Sequence, residues 1–386
     1  MTTTAAEPRV QPRPRVRASS GVGHLWQIDI VRILTFACVI AVHATATVNA
    51  PTSVAAGASL MLLHFTREVF FLITGFVLVH SQRGRPLVLR TFWGRRFLLV
   101  GAPYVVWSVI YYALNTPNAW AEGWPARLAL ALLTGTACYH LYFLLVSLQV
   151  YLVFPLLQKL LRRTAGRHGW LLAVAMAWQI GVTAWLQYAA PTGGVAGTLV
   201  AHADALLPTY LGYVVAGALA AQHLVHWHQW VQAHSPLIVV GMLSTAGLAL
   251  GAFAWQLDGP GSVVHAQAVL QPAMLPWSLA VAAALYAVGS WWARHSTEGR
   301  GQRAVTVISV GSHISFGVYL VHPMVMRWFA EHGVGQQLLP AAPATALLWV
   351  LSVGVSVLVV LLVQRTVLSL PLTGRRRAPR GIRAAA

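Results

Sequence analysis

The chain has 386 residues, of which 57% are hydrophobic and only 9% charged, against about 45–50% and about 25% in an average soluble domain. So little charge excludes a pair of soluble domains, because such a chain could not cover its own surface. The net charge of +18 is not a nucleic-acid footprint either: the basic residues fall in short clusters between apolar runs, as on a cytoplasmic membrane face.

Residues 1–25, with the basic stretch Arg9 to Arg17, read as a disordered cytoplasmic tail, since they lack the apolar core of a signal peptide. Residues 26–370 read as one transmembrane domain. A spanning helix needs roughly 20 mostly apolar residues. Ten segments qualify, near 28–48, 59–80, 97–114, 138–158, 170–189, 205–222, 236–256, 269–292, 305–329 and 341–368. The shorter run 126–137 reads as interfacial or re-entrant. Residues 371–386, with Arg375, Arg376, Arg377, Arg380 and Arg383, read as a second disordered basic tail. No repeat of solenoid or propeller period is present.

Lys and Arg concentrate in cytoplasmic loops. Alternate loops carry Arg83, Arg85, Arg90, Arg95 and Arg96, then Lys159, Arg162, Arg163 and Arg167, then Arg294, Arg300 and Arg303. The loops between them, near 49–58, 115–125, 190–204, 257–268 and 330–340, hold neither residue. The expected fold is therefore all-α, a polytopic bundle of about ten transmembrane helices with both termini cytoplasmic, in the plasma membrane.

Ionisable groups inside a membrane are costly and usually face a cavity or the bundle interior. The first segment carries Arg32 and His43. Eleven residues at 100° bring them within about 20° of the same face, about 16 Å apart along the axis. A snorkelling arginine and a packing histidine are the plain alternatives, but the shared face favours one common cavity. The second segment holds His64, Arg67 and Glu68, where Glu68 either acts chemically or neutralises a neighbouring arginine. The ninth places Ser315, Tyr319 and His322 in one stripe before Pro323, and the fourth opens on Tyr139, His140 and Tyr142.

Two polar layers result. The inner one holds Arg32, Arg90, Arg95 and Arg96; the outer one holds His43, Glu68, Tyr319, His322 and His140. Arginines suit phosphates and a histidine suits general base work. A phosphorylated donor entering from the cytoplasm fits this layout, although plain positive-inside topology also accounts for Arg90, Arg95 and Arg96. The histidines His223, His226, His228 and His234 come without cysteine or carboxylate partners, so no metal is expected there. Cys38 and Cys138 are too few for a disulfide framework.

The sequence resembles the membrane acyltransferase family 3, O-acetyltransferase-like proteins of ten-helix bundles, over about 26–330. The carriers are the Arg32–His43 spacing in a first helix that begins IDIVRIL, FFLITGF after Glu68, RRFLLVGAPYVVWS from Arg95, YHLYFLLVSLQVYLVFPLL from Tyr139 and SFGVYLVHP from Ser315. The resemblance implies acyl transfer, often acetyl, from cytoplasmic acyl-CoA to a hydroxyl of a carbohydrate or glycosylated acceptor. It implies His43 as the essential histidine, Arg32 as its paired arginine, and Arg95 and Arg96, with Arg90 beside them, as contacts for the CoA phosphates. Glu68 matches an acidic position, and Tyr319 and His322 match the late-helix motif without individual steps; with His140 they are the candidates for binding the acceptor. Thr74 stands where members often carry Ser. Members with a fused esterase-like domain have a long C-terminal extension, so this chain is expected to act alone or to hand its product on. Partners are acyl-CoA, the acceptor and the bilayer, with a homodimer left open. The rival class is a transporter of a polysaccharide or lipid-linked sugar, against which the lack of internal symmetry counts.

Overall fold

The computed structural model describes residues 25–257, 262–296, 302–333 and 339–376. Residues 1–24 of the tail read over 1–25, and the arginines Arg377, Arg380 and Arg383, lie outside the described residues. In chain order the helices are α1 (Trp26–Val48), α2 (Val54–Leu63), α3 (Phe65–Ser81), α4 (Leu89–Arg96), α5 (Ala102–Asn115), α6 (Trp124–Thr134), α7 (Tyr142–Arg163), α8 (His168–Tyr188) and α9 (Gly194–Ala201). They continue as α10 (Leu211–Gln222), α11 (Leu224–Ala233), α12 (Ser235–Leu257), α13 (Val263–Ala266), α14 (Met274–Ser296), α15 (Gln302–Glu331), α16 (Ala341–Val363) and α17 (Ser369–Thr373). No strand occurs among the described residues.

Nine helical stretches are long and apolar enough to cross a membrane, among the described residues. Helices α2 and α3 make one of them, jointed at His64, and α4 and α5 make another through a π turn at Phe97–Gly101. The tenth expected segment, 205–222, is built differently. Pro208 sits in a 3-10 turn over Leu207–Tyr210, and regular helix starts only at Leu211, leaving 12 residues. The run expected to be interfacial contains α6, an 11-residue helix stopped at both ends by left-handed Gly123 and Gly135.

Helix α1 is the axis of the bundle, touching α2, α3, α14, α15 and α16. Helices α8, α12 and α16 lie outermost, with few buried side chains. Lipid gives helices no hydrophobic reason to associate, so close backbone approach and polar glue matter more. Both are present. Helices α3 and α10 meet through Gly75 and Gly217, where an added Cβ would fall 2.2 Å from the carbonyl oxygen of Val214 and 1.8 Å from that of Leu72, respectively. At one edge a ladder of buried amides ties α8 to α12: Gln187 Nε2 donates to Gln256 Oε1 at 2.5 Å, and Gln256 Nε2 to Gln271 Oε1 at 2.8 Å.

Prolines inside these helices free carbonyls that side chains then claim. Pro155 in α7 has no N–H for the carbonyl of Tyr151, four residues back. Trp93 Nε1 donates to that oxygen at 2.9 Å, fastening α4 to α7. The same device recurs at Pro323, beside the histidines.

Candidate active site

Arg32 and His43 line two different cavities, one above the other along α1. The expectation of one shared cavity is corrected here: the face is shared, but packed rings divide the space beside it. Arg32, near the start of α1, opens on a cavity of about 210 Å³ together with Thr35, Ser147, Tyr151, Ser312 and Arg96. His43, eleven residues on, opens on a cavity of about 460 Å³ with His64, Arg67, Tyr139, Tyr142 and Asp204. Phe36 and Phe70 close the first cavity and Phe143 the second. The ring of Phe36 lies 5.3 Å from that of Tyr319, Phe70 lies 5.6 Å from Phe143, and Phe143 lies 6.0 Å from Tyr319, centroid to centroid. Four aromatic side chains thus stand between the arginine end and the histidine end.

At the arginine end, Arg32 Nη1 donates to Ser312 Oγ at 3.3 Å and lies 3.9 Å from Asp29 Oδ1, while Ser312 Oγ donates to the same carboxylate oxygen at 2.5 Å. This network fixes the start of α1 to α15 and aims the guanidinium into the cavity. The Arg96 guanidinium lies over the rings of Tyr151, at 5.5 Å, and Phe92, at 5.8 Å. Arg90 and Arg95 are exposed and line neither cavity. Ser315 also lines this cavity, with its hydroxyl bonded to the Ser312 carbonyl at 2.9 Å.

At the histidine end, the rings of His43 and His322 stack, with centroids 5.5 Å apart and planes inclined by 23°. Tyr139 covers His43 at 4.3 Å. The ring of His140 is fully buried, 5.5 Å from His322 and 5.2 Å from Tyr319. Tyr319 donates its hydroxyl to the His140 carbonyl. Pro323 leaves the Tyr319 carbonyl without its helical donor, and His322 Nδ1 takes it at 2.7 Å. A carbonyl can only accept, so Nδ1 carries the proton and Nε2 keeps a lone pair. That Nε2 is buried and makes no hydrogen bond among the described residues.

Glu68 does not reach this group. It is buried beside Tyr210 and Tyr213, its Oε2 has no hydrogen-bond partner among the described residues, and it lines neither cavity. Arg67, its neighbour on α3, does line the histidine cavity, where sequence reasoning named no such role for it. Its Nη1 donates to Tyr210 Oη at 3.3 Å, and its guanidinium lies 5.0 Å from the centre of the Tyr142 ring. Asp204 reaches the same cavity from a 3-10 turn over Ala203–Ala205, and Gln149 holds the chain just after it, donating to the Ala205 carbonyl at 2.7 Å and accepting from Leu207 N at 2.9 Å.

The histidines after α10 are engaged with one another and with neighbouring side chains. His223 Nε2 lies 2.7 Å from His168 Nδ1, and His228 Nδ1 lies 3.1 Å from Tyr286 Oη. Among the described residues no three His, Cys, Asp or Glu side chains converge as a metal site.

Among the described residues, nine long apolar helical stretches around an arginine-lined and a histidine-lined cavity define an integral, multi-pass membrane protein whose polar site lies inside the bundle. A family model described as an acyltransferase domain, Acyl_transf_3, matches residues 25–365, and the chain belongs to that family of membrane acyltransferases. No curated protein and no solved structure matches the chain.

Proposed function

We propose that the protein is a plasma-membrane O-acyltransferase that moves an acyl group, acetyl first among them, from cytoplasmic acyl-CoA to a hydroxyl of a carbohydrate or glycosylated acceptor. One observation carries this reading: a cavity with Arg32 and Arg96 and a cavity with His43 succeed each other along α1, with aromatic rings packed between them. Arginines recognise phosphate oxygens through directional, charge-assisted hydrogen bonds. An imidazole facing a cavity takes protons from hydroxyls near neutral pH.

The donor's phosphates rest at Arg32 and Arg96, with Arg95 and Arg90 contributing long-range attraction from the exposed rim. The thioester arm extends past Ser147 and Thr35 toward the rings. The acceptor enters from the opposite end, between Tyr139, Tyr142, Arg67 and Asp204, with His140 and His322 forming the wall behind His43. Transfer requires the rings of Phe36, Phe70, Phe143 and Tyr319 to part and admit the thioester; His43 then takes the proton of the acceptor hydroxyl, whose oxygen attacks the thioester carbonyl carbon. The C–S bond breaks, an ester forms, and the CoA sulfur leaves as the thiol after receiving a proton. His322, stacked on His43, is the neighbour that positions it; the geometry supports His322 in this role over Glu68.

The test is acyl transfer by purified protein from radiolabelled acetyl-CoA to a mixed carbohydrate pool, compared with His43→Ala of equal thermal stability. General base catalysis contributes about 10²–10⁴-fold, so the variant is expected to lose at least a hundredfold. Undiminished transfer by the folded variant overturns the reading.

A further inference from the structure

The arginines of the donor cavity are not all in the segment matched by the family. Residues 371–386 are expected from composition to be a basic tail, yet the chain turns after α16 and lays α17 against the arginine end of the bundle. Trp107 Nε1 of α5 donates to the Leu372 carbonyl at 3.0 Å. Ser369 Oγ donates to the Arg375 carbonyl at 2.8 Å, and Ser369 and Thr373 are both buried. Gly374 closes the helix at φ +65°, and a Cβ there would come 2.5 Å from the Leu99 carbonyl oxygen and 2.7 Å from the Phe316 ring. Leu99 lies in the π turn between α4 and α5, so the glycine lets the chain end pack directly against that turn.

This anchoring delivers Arg375 to a defined place. Below the 210 Å³ cavity lies a vestibule of about 540 Å³, and Arg375, Arg32 and Ser312 line both. Burial, then the nearby Arg32 and Arg95, push the Arg375 guanidinium below its ordinary pKa, while Asp29 pulls it back. The throat therefore holds more positive charge than it balances, and Asp29 is already engaged with Ser312 and Arg32.

We infer that Arg375 is a third arginine of the donor site, contacting a phosphate of acyl-CoA where vestibule and cavity meet, with α17 and Gly374 as the strap that positions it. The inference rests on the donor reading above. It adds a ligand from beyond residue 365, where the family match ends.

The experiment compares acetyl-CoA with S-acetylpantetheine, which carries the same thioester arm without phosphates, on the full-length protein. In Arg375→Gln the ratio of kcat/KM for acetyl-CoA to that for S-acetylpantetheine is expected to fall about tenfold, the loss of one charge-assisted hydrogen bond. Arg375→Lys recovers part of it, and Arg376→Gln leaves the ratio as in the wild type. An unchanged ratio in folded Arg375→Gln overturns the inference. Thermal stabilisation by CoA separates the two levels. Equal stabilisation of wild type and Arg375→Gln removes Arg375 alone, whereas no stabilisation of the wild type removes the donor reading and this inference with it.

Discussion

His322 holds the carbonyl of Tyr319 through Nδ1 at 2.7 Å, and it can do so because the residue after it is Pro323. A helical carbonyl normally accepts from the N–H four residues on, and at position 323 no N–H exists. The bond fixes the tautomer of His322, so the ring stacked on His43 presents an unprotonated Nε2. Pro323→Ala restores a backbone donor that competes for the same oxygen and lets His322 change tautomer. A proline inside a helix costs about 3 kcal/mol, so the alanine variant is expected to melt at the same or a higher temperature. Its kcat is nevertheless expected to fall several-fold. Paired thermal unfolding and acyl-transfer assays check this; a more stable variant with full kcat would show that the tautomer lock has no part in turnover.

The contact between α3 and α10 is set by two glycines facing two carbonyls. Because an added methyl at position 217 would sit 1.8 Å from the Leu72 oxygen, Gly217→Ala must move one helix away from the other. Overpacking of this kind costs about 1–3 kcal/mol or more. Helix α3 carries Arg67 at the histidine cavity and Thr74 at the arginine cavity, so both should loosen together. Gly217→Ala is expected to lower the melting temperature in detergent and to raise KM for donor and acceptor alike. Gly181→Ala, on α8 with open space around it, serves as the control.

The aromatic partition implies a third outcome. On the proposed donor reading, a thioester resting on the arginine side is shielded from water at the histidine side by Phe36, Phe70, Phe143 and Tyr319 until the rings part. Truncating Phe70, which packs on the other three, joins the two cavities. Phe70→Ala is expected to release CoA thiol from acetyl-CoA without any acceptor, faster than the wild type does. Thiol release that stays at the wild-type rate while the protein remains folded argues that other side chains make the barrier.

Helix periodicity makes part of this site legible in the sequence. The 100° step puts Arg32 and His43 on one face, and it groups Ser315, Tyr319 and His322. It cannot report the depth-wise division of that face, because Phe36, Phe70 and Phe143 are ordinary apolar residues in the sequence and become a wall only by converging from three helices. Arg67 is overshadowed by Glu68: adjacent opposite charges read as a pair, yet successive helical residues point about 100° apart, and only the arginine faces the cavity. Arg375 is hidden by its neighbours, since a run of arginines after the last span has the composition of a tail. Its placement depends on Gly374, Trp107 and Ser369, whose contacts are long-range or conformational. The short α10 escapes sequence reading for a related reason, as hydropathy counts apolar residues but not the 3-10 turn that Pro208 begins.

The pair His168 and His223 supplies a pH response outside the cavities. His168 Nε2 lies 2.9 Å from the Leu161 carbonyl, which can only accept, so in the neutral ring Nδ1 is left as an acceptor for His223 Nε2 at 2.7 Å. An extra proton on His223 goes on Nδ1 and leaves this bond in place, so what opposes it is its surroundings. Burial first, then His168, His226 and Arg83, lower the pKa of His223 below its ordinary 6.5. Since the unfolded chain binds this proton more readily than the folded one, the stabilisation is complete above about pH 6.5 and declines as pH falls below it. Lowering pH from about 7.5 to about 5.5 is therefore expected to reduce the melting temperature of the wild type more than that of His223→Asn, which has no proton to gain. Parallel slopes for the two proteins would mean that the pair is solvated enough to titrate normally and contributes nothing to the pH response.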